Sequence, residues 1–333
     1  MMSFSRVARR FTRHAGHRTA AQSAGTKPQR RLLSDARTGF VIGLAMACQM
    51  FLSVCKSSEP EPAGSPEAPR VLIVVGPSSH PPGTHEVAAG GRLMAYSLEN
   101  STNLTAIPTT VTTAWPHDTE LQRGIDTVVF IGDEFPPHKL PRSAEILADL
   151  DEMMGRGCGI VCIHFATGLR EPDVTADGEH PLLHWMGGYF ASRCSHHKSI
   201  ARIFTDAEIT PATVDHPVAR GWQTFQLTDE PYIENYFGPP GHAERVGLIE
   251  FATAMLPPES PRRQVVAWGI ERGDGGRGFG IVMPHYYRNW GLDDLRTLIL
   301  NGIVWTAGDE IPDDGVRVEI PDLSRFDPAE SRR

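Results

Sequence analysis

The segment that most constrains this chain is Gly157–Gly168, GCGIVCIHFATG. Apolar and small residues without a single charge read as a strand buried on both faces, the kind found in the middle of a parallel sheet. The run stops at a histidine. His164 is therefore expected where the strand opens into its loop, and open α/β sheets bind ligands at the carboxyl ends of their strands. The polar clusters His80 to Glu86, Ser195-His196-His197, Asp229-Glu230 and Pro284-His285 likewise adjoin the ends of apolar runs. Their convergence on His164 is the organising expectation.

Upstream, Arg70–Gly76 and Asp126–Gly132 read as further buried strands, and Leu104–Thr110 as another between them. A helix is expected after Thr84, which is placed to cap it, with Val87, Leu93, Met94 and Leu98 on its buried side. Ser143–Arg156 carries Ile146, Leu147, Leu150, Met153 and Met154 at helical spacing, a core face rather than a cofactor box. Strand, helix, strand, strand, helix, strand opens an α/β fold, a doubly wound and mostly parallel sheet with right-handed crossovers. The C-terminal half adds an alternating strand over Ser199–Thr205 and three more at Val246–Phe251, Gln264–Ile270 and Phe279–Met283, the last two joined by a turn at Asp274–Gly278. A helix over Asp293–Thr306 closes the domain, and residues 309–333 form a tail.

Charge is distributed unevenly. Residues 1–37 hold nine Lys and Arg and one acid, which leaves 23 basic and 39 acidic residues, a net charge of −16, in the rest of the chain. Such a domain lacks the basic face that nucleic acid requires. Beyond residue 55 only Cys158, Cys162 and Cys194 remain, an odd number that makes no disulfide framework.

Residues 1–38 are a basic leader, and 39–55 hold a 16-residue uncharged stretch, Gly39–Val54. Basic then apolar is the layout of an export signal, with Arg30-Arg31 as a twin-arginine candidate. Export to the periplasm, with membrane association through the leader only, is one reading; a start at Met46 and a cytoplasmic protein is the other. Cys55, or Cys48, stands where a lipoprotein cysteine would. Residues 56–69, rich in Pro, Ser and Glu, form a tether.

From Arg70 to Gly308 the ordered motifs resemble the trehalose-utilisation (ThuA-like) family. They are the strand ending in His164, Trp185 with Gly187-Gly188, a histidine at 196 or 197, and Asp215-His216-Pro217-Val218 with Gly221. Asp229-Glu230-x-Tyr232, Val266-Ala267-Trp268, Gly276–Phe279, His285 and Asn301–Trp305 follow. The resemblance implies a variant of the class I glutamine amidotransferase fold and a role in carbohydrate metabolism, on a sugar, glycoside or keto-sugar derivative. The segments His80–Glu86 and Pro284–Trp290 depart from the family's usual pattern.

Amidotransferase chemistry needs a nucleophilic cysteine on a strand-to-helix elbow, and here that position falls on His164. Neutral imidazoles with carboxylates are instead what zinc or manganese selects. His85, Glu86, His197 and His285 are the expected ligands, alongside His164 and Glu230. Without a metal, His164 serves as base, Glu230 as its partner, and Arg277 steadies an oxyanion. Trp185, Tyr232 and Trp290 are expected to bind substrate by stacking. Two alternatives stay open: a non-catalytic sugar-binding or interaction module, and a degenerate amidotransferase with an exposed Cys162 of depressed pKa.

Overall fold

A computed structural model describes residues 68–327; the leader, the apolar stretch and residues 56–67 of the tether lie outside the described residues. In chain order the regular elements are β1 (Val71–Val75), α1 (Val87–Glu99), β2 (Thr109–Thr112), α2 (Thr119–Arg123), β3 (Thr127–Ile131), α3 (Ser143–Gly155) and β4 (Gly159–Ile163). Then come β5 (Gly168–Arg170), α4 (Pro181–Trp185), β6 (Phe190–Ser192), β7 (Phe204–Pro211), β8 (Phe225–Asp229) and α5 (His242–Arg245). The chain finishes with β9 (Ile249–Leu256), β10 (Arg262–Glu271), β11 (Arg277–Ile281) and α6 (Asp293–Thr306).

Nine strands form one sheet in the order β2-β1-β3-β4-β11-β10-β9-β7-β8, and β5 pairs with β6 apart from it. The first five run parallel and the last four antiparallel. Strands β1, β3 and β4 are buried at every residue, which is why they read as unbroken apolar runs rather than as alternation. β7 and β8, with one face in solvent, alternate instead.

The helices follow from their apolar faces. α1 packs on β1, β2 and β3 and meets α6, burying Leu93, Met94 and Leu98. α6 is buried from Leu295 to Thr306. Its Asn301 donates to the carbonyls of Val218 and Arg220 and accepts from the Val316 amide. The Asp215–Val218 turn is thereby tied to the closing helix. Gly302 lets that helix approach the sheet, since a Cβ there would lie 2.5 Å from the Phe279 ring.

Three local expectations are corrected, and one strand is added. β2 starts at Thr109, because Leu104–Pro108 lies outside regular structure. Ser199–Ile203 makes a single bridge, Ile200 to Ile233, and the alternating strand begins only at Phe204. β8 is a strand that the sequence reading did not mark; Asp229 ends it and Glu230 follows. Thr84 does not cap α1: its hydroxyl donates to Pro81 O, and Glu86 holds the cap position with its carboxylate turned back to the Gly83 amide. Among the described residues no helix is long and apolar enough to cross a membrane.

Candidate metal centre

From β1 the chain crosses to β2 on one side, then returns past β1 to β3 and β4 on the other. The carboxyl ends of β1 and β3 therefore flank the point where the strand order reverses, the crevice in which such sheets bind ligands. Gly76 and Gly132 end these strands side by side. A Cβ on Gly132 would sit 2.9 Å from the Gly76 Cα, so the close approach excludes any larger residue. The two loops leave in contact, the Asp133 amide donating to Pro77 O at 2.9 Å.

Five strand ends deliver side chains to this crevice. The loop after β1 brings His80 and His85, the end of β3 brings Asp133, and the end of β4 brings His164. The end of β8 brings Asp229 and Glu230, and the segment after β11 brings His285. His85 and His164 have left-handed backbones, φ 43 and φ 49, each costing roughly 1–2 kcal/mol in a residue with a Cβ. Strain of this kind persists only where the surroundings enforce it. Here the His85 amide donates to His285 O, and the Tyr287 amide to Gly83 O, which zips the first loop to the last.

Ligand atoms of His85, His164, His285 and Glu230 all lie within 4.8 Å of one another. His85 Nε2 is 2.9 Å from both His164 Nε2 and His285 Nδ1, and the latter two are 3.3 Å apart. Glu230 Oε2 lies 3.3 Å from His285 Nδ1 and 3.9 Å from His164 Nε2. The Tyr232 hydroxyl is 3.1 Å from His164 Nε2, with its ring stacked on the imidazole.

The protons on these rings can be assigned from what their outer nitrogens face. His164 Nδ1 lies 3.0 Å from Val282 O, a carbonyl that can only accept, so Nδ1 carries the hydrogen. His85 Nδ1 lies 2.7 Å from Asp133 Oδ1. Burial pushes the Asp133 carboxyl up, but hydrogen bonds from His85, the Ser79 amide and His80 outweigh it and hold it well below the usual carboxylate range. It is ionised, so His85 Nδ1 is also a donor. Both Nε2 atoms then present bare lone pairs to each other at 2.9 Å.

A proton shared between them would need an imidazolium, which the surroundings oppose. Burial first, then the neighbouring His85, holds the His164 pKa well below its ordinary value, and burial lowers that of His85 against the pull of Asp133. Only His285 Nδ1 and the Tyr232 hydroxyl have protons to offer, against acceptors at His85, His164 and Glu230. A cation at the centre satisfies the whole set. Three neutral imidazoles and a carboxylate fit a borderline divalent ion, and Asp133 and the Val282 carbonyl orient two of them in the way that metal-binding histidines are usually held.

Asp229 builds the other wall. Fully buried, its carboxylate accepts from the His285 and Glu230 amides at 2.7 and 2.6 Å and from the Asn289 side chain. Burial pushes its pKa up, and these same donors pull it back. His80 completes the opposite wall: its Nδ1 meets Asp133 Oδ2 at 2.9 Å, and its ring stacks on His85 at 3.5 Å.

The structure thus brings together His85, His164, Glu230, Tyr232 and His285, leaves Glu86 and Trp290 at a small cavity beside them, and places Arg277, Trp185 and His197 elsewhere. Arg277 opens β11, at the far end of the strand from His285, and donates to Trp305 O. Trp185 is at that same far end, its carbonyl 2.0 Å from where a Cβ on Gly278 would sit. His197 points to Glu234 O at 2.6 Å, and Glu86 to the Gly83 amide. Trp290 is buried against α1, beside Gly90, and offers no open face for stacking. Cys162 is fully buried and burial drives its thiol pKa up, the reverse of what a degenerate amidotransferase nucleophile requires. His80, Asp133 and Asp229 all ended or followed strands in the sequence, and that position was the available signal for them.

Two cavities border the cluster. One, of about 10 Å³, lies among His85, His164, His285 and Trp290 and has room for no more than a water. The other is a cleft of about 350 Å³ lined by His80, Phe165, Phe190, Glu230 and Tyr232 among others, within the range of small-molecule sites.

No protein-family model and no curated protein matches the chain. Among solved structures, a putative ThuA-like protein from Bacteroides uniformis matches at TM-score 0.52 and 14% identity, over 75% of this chain and 96% of that one. The chain shares its fold with that protein. PurLQS from Thermotoga maritima (TM-score 0.38, 14% identity, 72% of this chain and 97% of that one) and Agd3, a carbohydrate deacetylase (TM-score 0.39, 11% identity, 71% and 33%), align more loosely and add nothing to the fold assignment.

Proposed function

We propose that the domain is a metal-dependent enzyme acting on a carbohydrate or keto-sugar derivative, with zinc or manganese held by His85, His164, His285 and Glu230. The observation that carries this reading is the 2.9 Å contact between His85 Nε2 and His164 Nε2, on rings whose Nδ1 atoms face the acceptors Asp133 Oδ1 and Val282 O. Three nitrogens to one oxygen favour zinc over manganese. When bound, such an ion polarises a carbonyl or makes water acidic enough to attack.

The protein's own contribution is orientation and proton handling. Asp133 fixes the tautomer of His85 with one oxygen and that of His80 with the other. His80, held at Nδ1 by Asp133, lines the cleft and is the side chain placed to exchange a proton with substrate or water. Tyr232 donates to His164 while the centre is metal-free. Glu230, with 19% of its side chain exposed, lies between the cluster and the cleft and is the ligand placed to yield a coordination position. The carbohydrate assignment rests on the sequence resemblance, and export through the basic and apolar leader is part of the same proposal.

The test is elemental analysis of the full chain purified without added metal, beside turnover of a panel of glycosides and oxidised sugars. About one equivalent of zinc or manganese, lost together with turnover in His164→Ala, is the expected result. Wild-type protein that carries no metal and takes none up would overturn the reading.

A further inference from the structure

The cleft beside the cluster is lined by two basic side chains that the centre does not use, Arg193 and Lys198. Arg170, Arg202, Arg262, Arg263 and Arg272 each pair with a carboxylate, as expected where acidic residues outnumber basic ones. Among the described residues neither Arg193 nor Lys198 has an ion-pair or hydrogen-bond partner. Both reach the same cavity as Glu230 and Tyr232.

The backbone holds Arg193 there at a cost. The chain leaves β6 through Arg193 at φ 59, a left-handed conformation that L side chains rarely adopt and that Gly or Asn fills more easily. An arginine in such a position, unpaired and beside a candidate catalytic centre, is the kind of outlier that points to use. The next residue, Cys194, is buried, so the turn is fixed by packing.

We infer that this cleft selects a sugar-sized substrate bearing an oxyanion, a carboxylate or a phosphate, which Arg193 and Lys198 bind while the rest of the molecule reaches the His85–His164–His285 cluster. This rests on the carbohydrate reading above and adds the charge of the substrate to it. Two cations from neighbouring loop positions suit an anionic group, because charge-assisted hydrogen bonds to oxyanions are roughly twice as strong as neutral ones. A neutral sugar leaves both cations without a counter-charge.

The test uses full-chain protein and three probes, D-glucuronate, D-glucose 6-phosphate and D-glucose, with binding measured by calorimetry at low and high salt. At least one anionic probe is expected to bind on the order of ten-fold more tightly than glucose, with the advantage shrinking as salt rises. The better of the two anions identifies carboxylate or phosphate as the group recognised. In the double variant Arg193→Asn, Lys198→Gln, chosen because Asn tolerates the left-handed backbone, the advantage is expected to vanish while metal content stays at the wild-type level. Equal affinity for all three probes, binding of none, or an anion preference that survives the double substitution would overturn the inference. Metal content measured on the same samples reports on the metal centre separately, so loss of one conclusion does not carry the other with it.

Discussion

His138 and His180 touch ring nitrogen to ring nitrogen at 2.9 Å, and so do His85 and His164, yet the two contacts are opposites. In the first, His180 Nδ1 accepts from the Leu182 amide, so its Nε2 carries the hydrogen and donates to His138. The pair is an ordinary neutral hydrogen bond, with Asp173 near the far nitrogen of His138. In the second, both outer nitrogens are committed as donors, and nothing is left to lie between the inner ones. Equal distances conceal different chemistry. The side chains and backbone groups behind each ring decide whether a pair of histidines is structural or a place for a cation.

The largest expected difference between the two regions comes from removing one ring of each. His164→Ala should lower zinc affinity by more than ~100-fold, beyond the usual effect of losing only an orienting group. His180→Ala should leave zinc affinity unchanged and cost about 1–3 kcal/mol of stability, the price of a lost buried hydrogen bond and its packing. Zinc titration and denaturant unfolding of both variants measure this contrast. Asp133→Asn comes next: it keeps the shape but no longer forces a hydrogen onto His85 Nδ1, so zinc affinity should fall about 10- to 100-fold.

Metal removal should act on one region only. At free zinc 100 times its dissociation constant the folded state gains about 2.7 kcal/mol; chelation should remove this from wild type and from His180→Ala but have no effect on His164→Ala. The smallest effect is one of pH. Burial first, then His138, pushes His180 down to about 3, below its unfolded value near 6.5. As pH falls below 6.5 the unfolded chain takes up a proton that the folded one refuses, so stability is present above 6.5 and is lost progressively toward 3. Between pH 7 and pH 5 this one ring should account for about 2 kcal/mol, and unfolding of His180→Gln should show that much less loss.

The parallel half of the fold was legible because fully buried strands announce themselves as uninterrupted apolar runs: β1, β3 and β4 lie within a residue of their expected bounds, and α3 and α6 likewise. The antiparallel half was less so. β7 contains a register shift between Phe204 and Ala207 and a left-handed Asp206, which break the two-residue alternation that marks a half-exposed strand. At the site, His85, His164, Glu230 and His285 share one visible property, a place after the carboxyl end of an apolar run. Arg277 lacked it, since it begins its strand. Asp133 and Asp229 possessed it, but their parts depend on which oxygen faces which nitrogen, and spacing along a chain does not carry that information.

The most direct measurement is X-ray absorption at the zinc edge of full-chain protein loaded with one equivalent of zinc and dialysed. Three imidazole nitrogens at about 2.0 Å with an oxygen ligand, falling to two imidazoles or to no retained zinc in His85→Ala, is the spectrum expected if a cation lies between His85 and His164. Zinc that washes out of the wild type, or a coordination shell without imidazole, would mean that the contact is bridged by a proton after all.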